Sequence, residues 1–343
     1  MSLWVFLSSR PGQIPESELS AFMTAVPAPR WGILSTANIA RGAFLPALRV
    51  AGGTAAAVAG RDLARAEQWA AANQVGRAVQ GYQALIDDPG IDALYIPLPN
   101  SMHAEWTIRA LQTGKPVLCE KPLCGVLPDT ERVLATARAS GSLLWEAFVF
   151  PFGELMGRLR SLVADGAIGE LRGIQSNFHF GLTRPDNIRL SAGLQGGALR
   201  DVGCYPVRLA QEFFGEHETA SAAHEIGGDG VDIETWGMLG YAGGRKLLLS
   251  CGMRRDRDTF ARLLGTEGQI HATNIFHPDS SDQLTLYRPG AEPAEFRLQH
   301  AEPSFTAALR HINAAISGQE EPRLLALDSS LVTARALHDL SAR

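Results

Sequence analysis

Residues 30–61 read RWGILSTANIARGAFLPALRVAGGTAAAVAGR, and this stretch decides the predicted fold. Its apolar run at 31–34 predicts a strand, 39–50 has the spacing of a helix, and 54–59 predicts a second strand. The alternation continues with helices over 63–73, 105–112 and 128–140 and strands over 93–96, 116–119 and 143–148. Repeated βαβ units predict a doubly wound, Rossmann-like parallel sheet over residues 29–149.

The second half of the chain has a different pattern of predicted elements, mainly strands joined by glycine-rich turns. Strand character is found over 171–180, 220–226, 232–241, 246–253, 260–264, 269–272 and 283–287. Helices are expected to end near residue 165 and to cover 304–317 and 328–341. We therefore predict an α+β domain over 150–325 with a large open antiparallel sheet, and a C-terminal helix within 326–343 that can return to the first domain. Residues 1–28 are interpreted as an extension, or alternatively as an ordered surface strap.

Composition narrows the function classes. The 343 residues include 31 basic and 36 acidic side chains, a net charge of −5, with no long run of either sign. This disfavours nucleic-acid and membrane partners and favours a small-molecule substrate. Four scattered cysteines, without the spacing of a metal site, predict reduced thiols in a cytoplasmic protein and no metal. No segment is apolar for long enough to span a membrane.

Two strand ends predict a dinucleotide site. The turn after the first strand, Leu34 to Asn38, is where a pyrophosphate would meet backbone N–H groups, although an ordinary tight turn is the alternative. The second strand ends in Gly60-Arg61, without the acidic residue usual in NAD enzymes. A guanidinium suits a 2′-phosphate, so NADP is favoured over NAD, unless Arg61 is simply solvated. Asp62 is interpreted as a helix N-cap.

Two further motifs suggest proton chemistry. Lys121, in Glu120-Lys121-Pro122, follows a buried-looking strand at the edge where such sheets bind ligands, although a surface Lys-Pro turn is the alternative. Asp201 and Tyr205 are four residues apart, so a helix beginning near Gly197 would place them on one face. We expect Tyr205 to act as acid or base with a pKa lowered by the Lys121 ammonium, and Asp201 to orient the pair. A simple helix-dipole role is the alternative for Asp201.

Together these residues resemble the glucose-fructose oxidoreductase and myo-inositol dehydrogenase (Gfo/Idh/MocA) family, particularly its branch of dihydrodiol and NADP-linked xylose dehydrogenases. The resemblance covers about residues 30–342. It rests on 31–40, Pro97-Leu98-Pro99-Asn100 with His103, 119–123, Glu146-Ala147-Phe148, 187–190 and 196–206. It implies a Rossmann domain followed by a domain whose open sheet forms a homodimer or a dimer of dimers.

The resemblance also implies roles for individual residues. Lys121, Asp201 and Tyr205 match catalytic positions. Cofactor-lining positions are matched by Gly32, Ser35, Thr36, Ala37, Asn38, Ile39, Gly60, Arg61, Leu98, Asn100, His103, Glu120 and Lys121. Arg189, Phe148 and Phe152 are expected to face the substrate. The alternatives are a loop-capping role for His103 and a loop salt bridge for Arg189.

Several residues depart from the family pattern. Ser35 replaces a usual glycine, Gln195 replaces the first of three glycines, and Arg200 replaces an apolar residue. Arg200 either contacts an anion or points outward. After Phe148, the segment Val149-Phe150-Pro151-Phe152-Gly153 lacks an arginine and a histidine that would face the substrate in relatives. We therefore expect a more apolar substrate site.

The resulting prediction is an NADP-dependent oxidoreductase that moves hydride between nicotinamide and a sugar, polyol or cyclic diol. One alternative is a catalytically silent protein on the same fold that senses a dinucleotide or a sugar. Another is an unrelated NAD-linked hydroxy-acid dehydrogenase. The latter is disfavoured because no acidic residue follows the second strand.

Overall fold

The structure, a computed structural model, describes residues 27–277, 283–297 and 302–342. The predicted N-terminal extension falls almost wholly outside these residues. All four cysteines are buried and unpaired. None of the helices in the described ranges is long and apolar enough to cross a membrane.

The first half of the chain forms the predicted parallel sheet, with six strands in the order β3-β2-β1-β4-β5-β6. The strands are β1 (Arg30–Leu34), β2 (Thr54–Gly60), β3 (Arg77–Gln80), β4 (Ala93–Ile96), β5 (Val117–Cys119) and β6 (Leu144–Glu146). Because β1 lies between β2 and β4, the chain order reverses there, and the carboxyl ends of these strands open into a crevice. The doubly wound fold is confirmed.

Helices connect these strands and cover both faces of the sheet. A π-helical turn over Ala40–Phe44 continues as α1 (Leu45–Val50), followed by α2 (Leu63–Ala72), α3 (Tyr82–Ile86), α4 (Asn100–Leu111) and α5 (Leu127–Ser140). Strand alternation directs Trp31, Ile33 and Tyr95 into one apolar cluster and Leu34 and Leu94 into another. The prediction missed β3 and α3. The residues of β3 are half-buried or exposed at the sheet edge, so they carry no clear apolar pattern.

The second half contains eight strands in the order β14-β13-β12-β11-β7-β10-β9-β8. These are β7 (Leu171–Gly181), β8 (His217–Ile226), β9 (Asp232–Tyr241), β10 (Arg245–Gly252), β11 (Arg254–Gly265), β12 (Gln269–Thr273), β13 (Gln283–Tyr287) and β14 (Ala294–Arg297). The sheet is antiparallel except for the pair β7 and β10. That pair is parallel because the chain makes a long excursion and returns beside β7 in the same direction. The short, half-exposed β14 was not predicted.

The remaining helices lie over one face of this sheet and return to the first half. They are α6 (Glu154–Ala164), α7 (Cys204–Phe214), α8 (Ser304–Ile316) and α9 (Ala326–Leu340). The Trp31 indole donates to Asn313 Oδ1 at 2.9 Å, which holds α8 against the first sheet. Helix α9 packs against both α5 and α7. The other face of the second sheet is open and exposes Trp236 and Leu248.

Candidate functional site

The segment that leads into α7 places Asp201 and Tyr205 opposite the carboxyl end of β5. Gly197 has φ +117°, and a Cβ there would lie 2.3 Å from Asp232 Oδ1, so glycine is required at the bend. Asp232 Oδ2 accepts from the Leu199 N–H at 2.6 Å, and a π-helical turn over Leu199–Gly203 then carries Asp201. Helical structure therefore begins at Ala198, next to the predicted start near Gly197. Single π-helical turns are common at functional sites.

Lys121, Arg189 and Asp201 form an ion network at this point. The Lys121 ammonium donates to the Asp201 backbone carbonyl at 2.6 Å and to Asp201 Oδ1 at 3.2 Å, whereas Arg189 Nε donates to Asp201 Oδ2 at 2.5 Å. Only 12% of the Lys121 side chain and 14% of the Asp201 side chain are exposed. Arg189 therefore forms a salt bridge, as the alternative for this residue proposed, and its partner is Asp201, the carboxylate predicted to be catalytic. We name Lys121, Arg189, Asp201 and Tyr205 the catalytic corner.

Paired charges keep the network ionised despite its burial. For Asp201, burial acts to raise the pKa. Lys121 and Arg189 together lower it by more than burial raises it, so the pKa of Asp201 lies below the usual value. For Lys121, burial acts to lower the pKa, but Asp201, Tyr205, Cys204 and Glu120 together outweigh burial, and the pKa lies well above the usual value. At neutral pH the lysine is therefore an ammonium and Asp201 a carboxylate.

Tyr205 completes the corner. Its ring centroid lies 4.9 Å from Lys121 Nζ. The Lys121 ammonium does act to lower the pKa of Tyr205, as expected, but burial is the larger effect, so the pKa is raised. The prediction of a lowered pKa is therefore corrected, because the phenol is 8% exposed and its ionised form would lose most of its hydration. Tyr205 is held protonated and can donate a proton.

The loop that carries Lys121 is held by buried polar groups beneath it. The peptide between Lys121 and Pro122 is cis, a form essentially confined to bonds that precede proline. The Tyr95 hydroxyl donates to Glu120 Oε1 at 2.6 Å. Glu146 Oε1 accepts from the Leu123 N–H at 2.7 Å. These contacts restrict the position of the lysine.

His103 is fully buried beneath the same loop. Its Nε2 lies 2.7 Å from the Leu98 carbonyl oxygen and its Nδ1 lies 2.9 Å from that of Pro122. Burial lowers the pKa of His103, so the ring favours the neutral form. The geometry suits the loop-capping alternative, because the ring joins two loops rather than facing the crevice.

The turn after β1 has the shape of a dinucleotide cradle. Thr36 and Ala37 are half-buried, and Asn38 and Ile39 are exposed at the start of the helix, where the first N–H groups have no helical partner. Ser35 adopts φ +131°, and its hydroxyl donates to the Pro97 carbonyl at 3.1 Å. We name residues 35–39 together with Arg61 the cofactor turn.

The end of β2 suits a phosphate-bearing ribose. Arg61 is exposed and, in the ranges that the structure describes, has no hydrogen bond or ion pair. Asp62 accepts from the Arg65 N–H at 3.0 Å, as its predicted N-cap role requires. These residues fit NADP, because a free guanidinium lies where the acid of NAD enzymes is lacking.

The two predicted cofactor glycines also have packing reasons. Gly32 is buried inside β1, where a Cβ would lie 3.0 Å from Ile91 and Leu94 side chains. At Gly60 a Cβ would approach Ala66 Cβ to 2.9 Å, so glycine allows α2 to start close to the strand. Their contact with a cofactor stays a prediction.

Two residues that depart from the family pattern join the halves of the chain. Arg200 Nε donates to the Gly125 carbonyl at 2.7 Å and Nη1 donates to that of Gly196 at 3.1 Å. The Gln195 side chain covers Gly125 so closely that a Cβ there would lie 2.3 Å from Gln195 Oε1. Asn100 Nδ2 donates to the Gln195 carbonyl at 2.9 Å. Neither open alternative for Arg200 describes this bridging contact.

Aromatic rings form the wall behind Tyr205. Phe148 packs edge-on against it at 5.5 Å between ring centroids, and its contact with the substrate stays a prediction. Phe152 instead packs against His311 at 5.5 Å, because the short 3₁₀ turn Phe150–Phe152 directs its first and last rings to different sides. Phe150 takes the place expected of Phe152, 6.1 Å from the ring of Tyr205. A contact between Phe152 and the substrate stays a prediction.

The sequence did not predict four contacts around the corner. These are the bond from Tyr95 to Glu120, the packing of Phe150 on Tyr205, the bond from Arg200 to Gly125, and the packing of His277 on Tyr205. Tyr95 carried a usable signal, because it lies near the carboxyl end of a buried strand followed by Pro97-Leu98-Pro99-Asn100. The others had none, since their partners are far away in sequence.

Comparison with known proteins gives consistent matches. Residues 30–148 match an oxidoreductase family with an NAD-binding Rossmann fold, and residues 156–271 match the GFO/IDH/MocA C-terminal domain. A dTDP-3,4-didehydro-2,6-dideoxy-alpha-D-glucose 3-reductase of Streptomyces violaceoruber is 37% identical over 306 residues, covering 86% of this chain and 89% of that protein. The NADP(+)-dependent D-xylose 1-dehydrogenase 2 of Haloferax volcanii is 36% identical and covers 76% of this chain and 81% of its own.

A comparison with solved structures gives a match to the same kind of protein. A 3-ketoreductase from Actinomadura kijaniata in complex with NADP and TDP-benzene superposes with a TM-score of 0.84 at 32% identity. The match covers 91% of this chain and 97% of that one. The two-sheet architecture is thus shared over nearly the whole length.

Proposed function

We propose that this chain, which belongs to the Gfo/Idh/MocA family of oxidoreductases, is an NADPH-dependent reductase of a sugar ketone. The chain is an NADP-dependent oxidoreductase that transfers hydride between nicotinamide and a sugar, polyol or diol. The proposal adds the direction of the reaction and the ketone. It is carried by one observation: Lys121 and Tyr205 are adjacent donors, one held charged and the other held protonated.

The catalytic corner suits reduction because both donors can meet one oxygen. When bound, the nicotinamide supplies the hydride that reaches the ketone carbon. The Lys121 ammonium stabilises the negative charge that develops on the ketone oxygen, and Tyr205 transfers its phenolic proton to that oxygen. Asp201 holds Lys121 charged and in place, and Arg189 holds Asp201 from the other side. The phenolate left on Tyr205 is stabilised by the Lys121 ammonium and takes up a proton from solvent before the next turnover.

The substrate is proposed to be a pyranose with a ring ketone. Of the relatives described above, one is named as a 3-reductase of a dTDP-linked didehydro-dideoxyglucose, one as a 3-ketoreductase and one as a xylose dehydrogenase, which supports a sugar as substrate and a ketone as the reacting group. The wall of phenylalanine rings behind Tyr205 supports a ring substrate with one apolar face.

The remaining proposals concern organisation. We propose that the chain divides near residue 149 into a cofactor domain and a substrate domain. We also propose a homodimer through the open face of the second sheet, because Trp236 there is 55% exposed and Leu248 is 44% exposed. Sedimentation of the full chain as a monomer would contradict that proposal. Four buried, unpaired thiols support a cytoplasmic location.

The test is absorbance of the reduced nicotinamide, with NADPH and sugar ketones and with NADP⁺ and aldoses, inositols and cyclic diols. We expect Lys121→Met to lower kcat by about 10³-fold, because it removes the donor that stabilises the developing alkoxide, while NADPH still binds. Lys246→Met is the matched control, since Lys246 is exposed and remote from the corner. Turnover retained in Lys121→Met would refute the mechanism. A wild-type protein that binds NADPH but turns over no substrate would favour the sensor alternative.

A further inference from the structure

His277 lies in the segment after β12 and brings a histidine ring against Tyr205. The two ring centroids are 5.5 Å apart, and His277 is 5.4 Å from the ring of Phe178. The preceding residue, Phe276, is 1% exposed and stacks on Phe178 at 5.8 Å, which anchors the turn. Asn274, with φ +46°, donates through its amide to the His277 carbonyl at 2.6 Å. The main chain at His277 is therefore held, and its ring packs against Tyr205 and Phe178 on one side while the residue is exposed on the other.

The wall around Tyr205 is otherwise apolar. Five rings contact it: Phe148, Phe150, Phe178, Phe276 and His277. Four of the five are phenylalanines and offer a substrate no hydrogen bond. Within the described ranges neither ring nitrogen of His277 has a hydrogen-bond partner. By contrast, ring nitrogens of the buried His103 and His311 lie within hydrogen-bond distance of nearby groups. His277 is the polar element of this wall.

Packing against the neighbouring rings favours a neutral imidazole at His277. This packing is the largest influence, Lys121 and Arg257 add to it, and Asp201 opposes it, so that the pKa of His277 is lowered. A neutral imidazole has one N–H donor and one acceptor nitrogen. It can therefore pair with a hydroxyl group, which also both donates and accepts.

We propose that His277 is a specificity-determining residue that hydrogen-bonds a hydroxyl on the substrate carbon next to the ketone. The inference rests on the proposed function, because it assumes that the ketone oxygen meets Tyr205 and Lys121. A hydroxyl on the neighbouring carbon then lies beside the phenol, on the side that His277 lines. On this proposal, a histidine from a distant segment supplies a polar group that residues 149–153 lack, and the expectation of a more apolar substrate site stays a prediction.

The test uses 2-hydroxycyclohexanone and cyclohexanone as a probe pair that differs in one hydroxyl. With NADPH, His277→Ala is expected to lower kcat/KM for the hydroxylated ketone by about tenfold and to leave cyclohexanone nearly unchanged, because only one contact is lost. His277→Gln should restore part of the loss, since an amide also donates and accepts. His338→Ala, at an exposed histidine near the end of α9, is the matched control. An equal loss for both ketones, or no loss for either, would overturn the proposal.

A second measurement separates this inference from the proposed function. In the complex with NADP⁺, which cannot reduce a ketone, the imidazole resonances of His277 are followed by NMR while each probe is added. We expect 2-hydroxycyclohexanone to shift them and cyclohexanone to shift them less. Equal shifts, or none, overturn the role of His277 whatever the turnover. Selective shifts without turnover in the NADPH assay would support the contact and overturn the ketoreductase.

Discussion

In the catalytic corner every charge has a protein partner, whereas at the cofactor turn Arg61 has none among the described residues. Asp201 accepts from Lys121 through one carboxylate oxygen and from Arg189 through the other. Arg61 is exposed and extends from the end of β2. Buried charges are costly unless paired, so the corner is organised before any ligand arrives. An exposed guanidinium carries no such cost, and its position suits an incoming anion. We therefore expect the corner to determine the chemistry and the turn to determine the choice of cofactor.

The largest effect should come from unpairing the corner. Asp201→Asn leaves two cations, Lys121 and Arg189, facing a neutral amide, and we expect the free energy of unfolding to fall by about 3 kcal/mol. Urea denaturation measures the change. Asp186→Asn is the control, because Asp186 pairs with Arg184 on the surface and both side chains are mostly exposed. That variant should leave stability unchanged. Equal effects in the two variants would remove the distinction between a buried and an exposed ion pair.

The stability difference between the wild type and Asp201→Asn should also depend on pH. The folded pKa of Asp201 is lowered, so its stabilising contribution is present above the pKa of an unfolded aspartate, about 4. The contribution is lost as pH falls through the lower folded pKa. The stability difference between the wild type and Asp201→Asn should therefore be constant from about pH 5 to 7 and shrink in more acidic buffer. A difference that grows on acidification would contradict the assigned direction.

A smaller effect is expected at the cofactor turn. Arg61→Ala should raise KM for NADPH by about 10- to 100-fold, the loss expected for a charge-assisted contact with phosphate, and leave KM for NADH unchanged. Initial rates with both cofactors measure the shift in preference. Arg65→Ala is the matched control, since Arg65 is an exposed arginine one turn further along α2. If both variants behave alike, Arg61 acts only through general charge.

The catalytic corner was largely predictable, and its surroundings were not. Lys121 follows a recognisable strand, and the spacing of Asp201 and Tyr205 identifies one helix face, so local pattern was enough. The contact between His277 and Tyr205 and that between Arg200 and Gly125 each join segments far apart in sequence, so no local sequence pattern could predict them. The pKa of Tyr205 was predicted in the wrong direction because burial by rings from five different positions outweighs one visible neighbour.

The smallest effect concerns Ser35, where the turn holds a non-glycine residue at φ +131°. Such a conformation costs about 2 kcal/mol for a residue with a Cβ, and the hydroxyl bond to Pro97 returns about 1 kcal/mol. Ser35→Ala keeps the strain and loses the bond, so unfolding should become easier by about 1 kcal/mol. Ser35→Gly loses the bond and the strain but adds about 1 kcal/mol of chain entropy to the unfolded state, so it should match the wild type. Urea denaturation of both variants therefore isolates the strain. Glycine should exceed alanine in stability by about 1 kcal/mol, whereas a glycine variant about 1 kcal/mol less stable than the alanine variant would mean that serine fits this turn without strain.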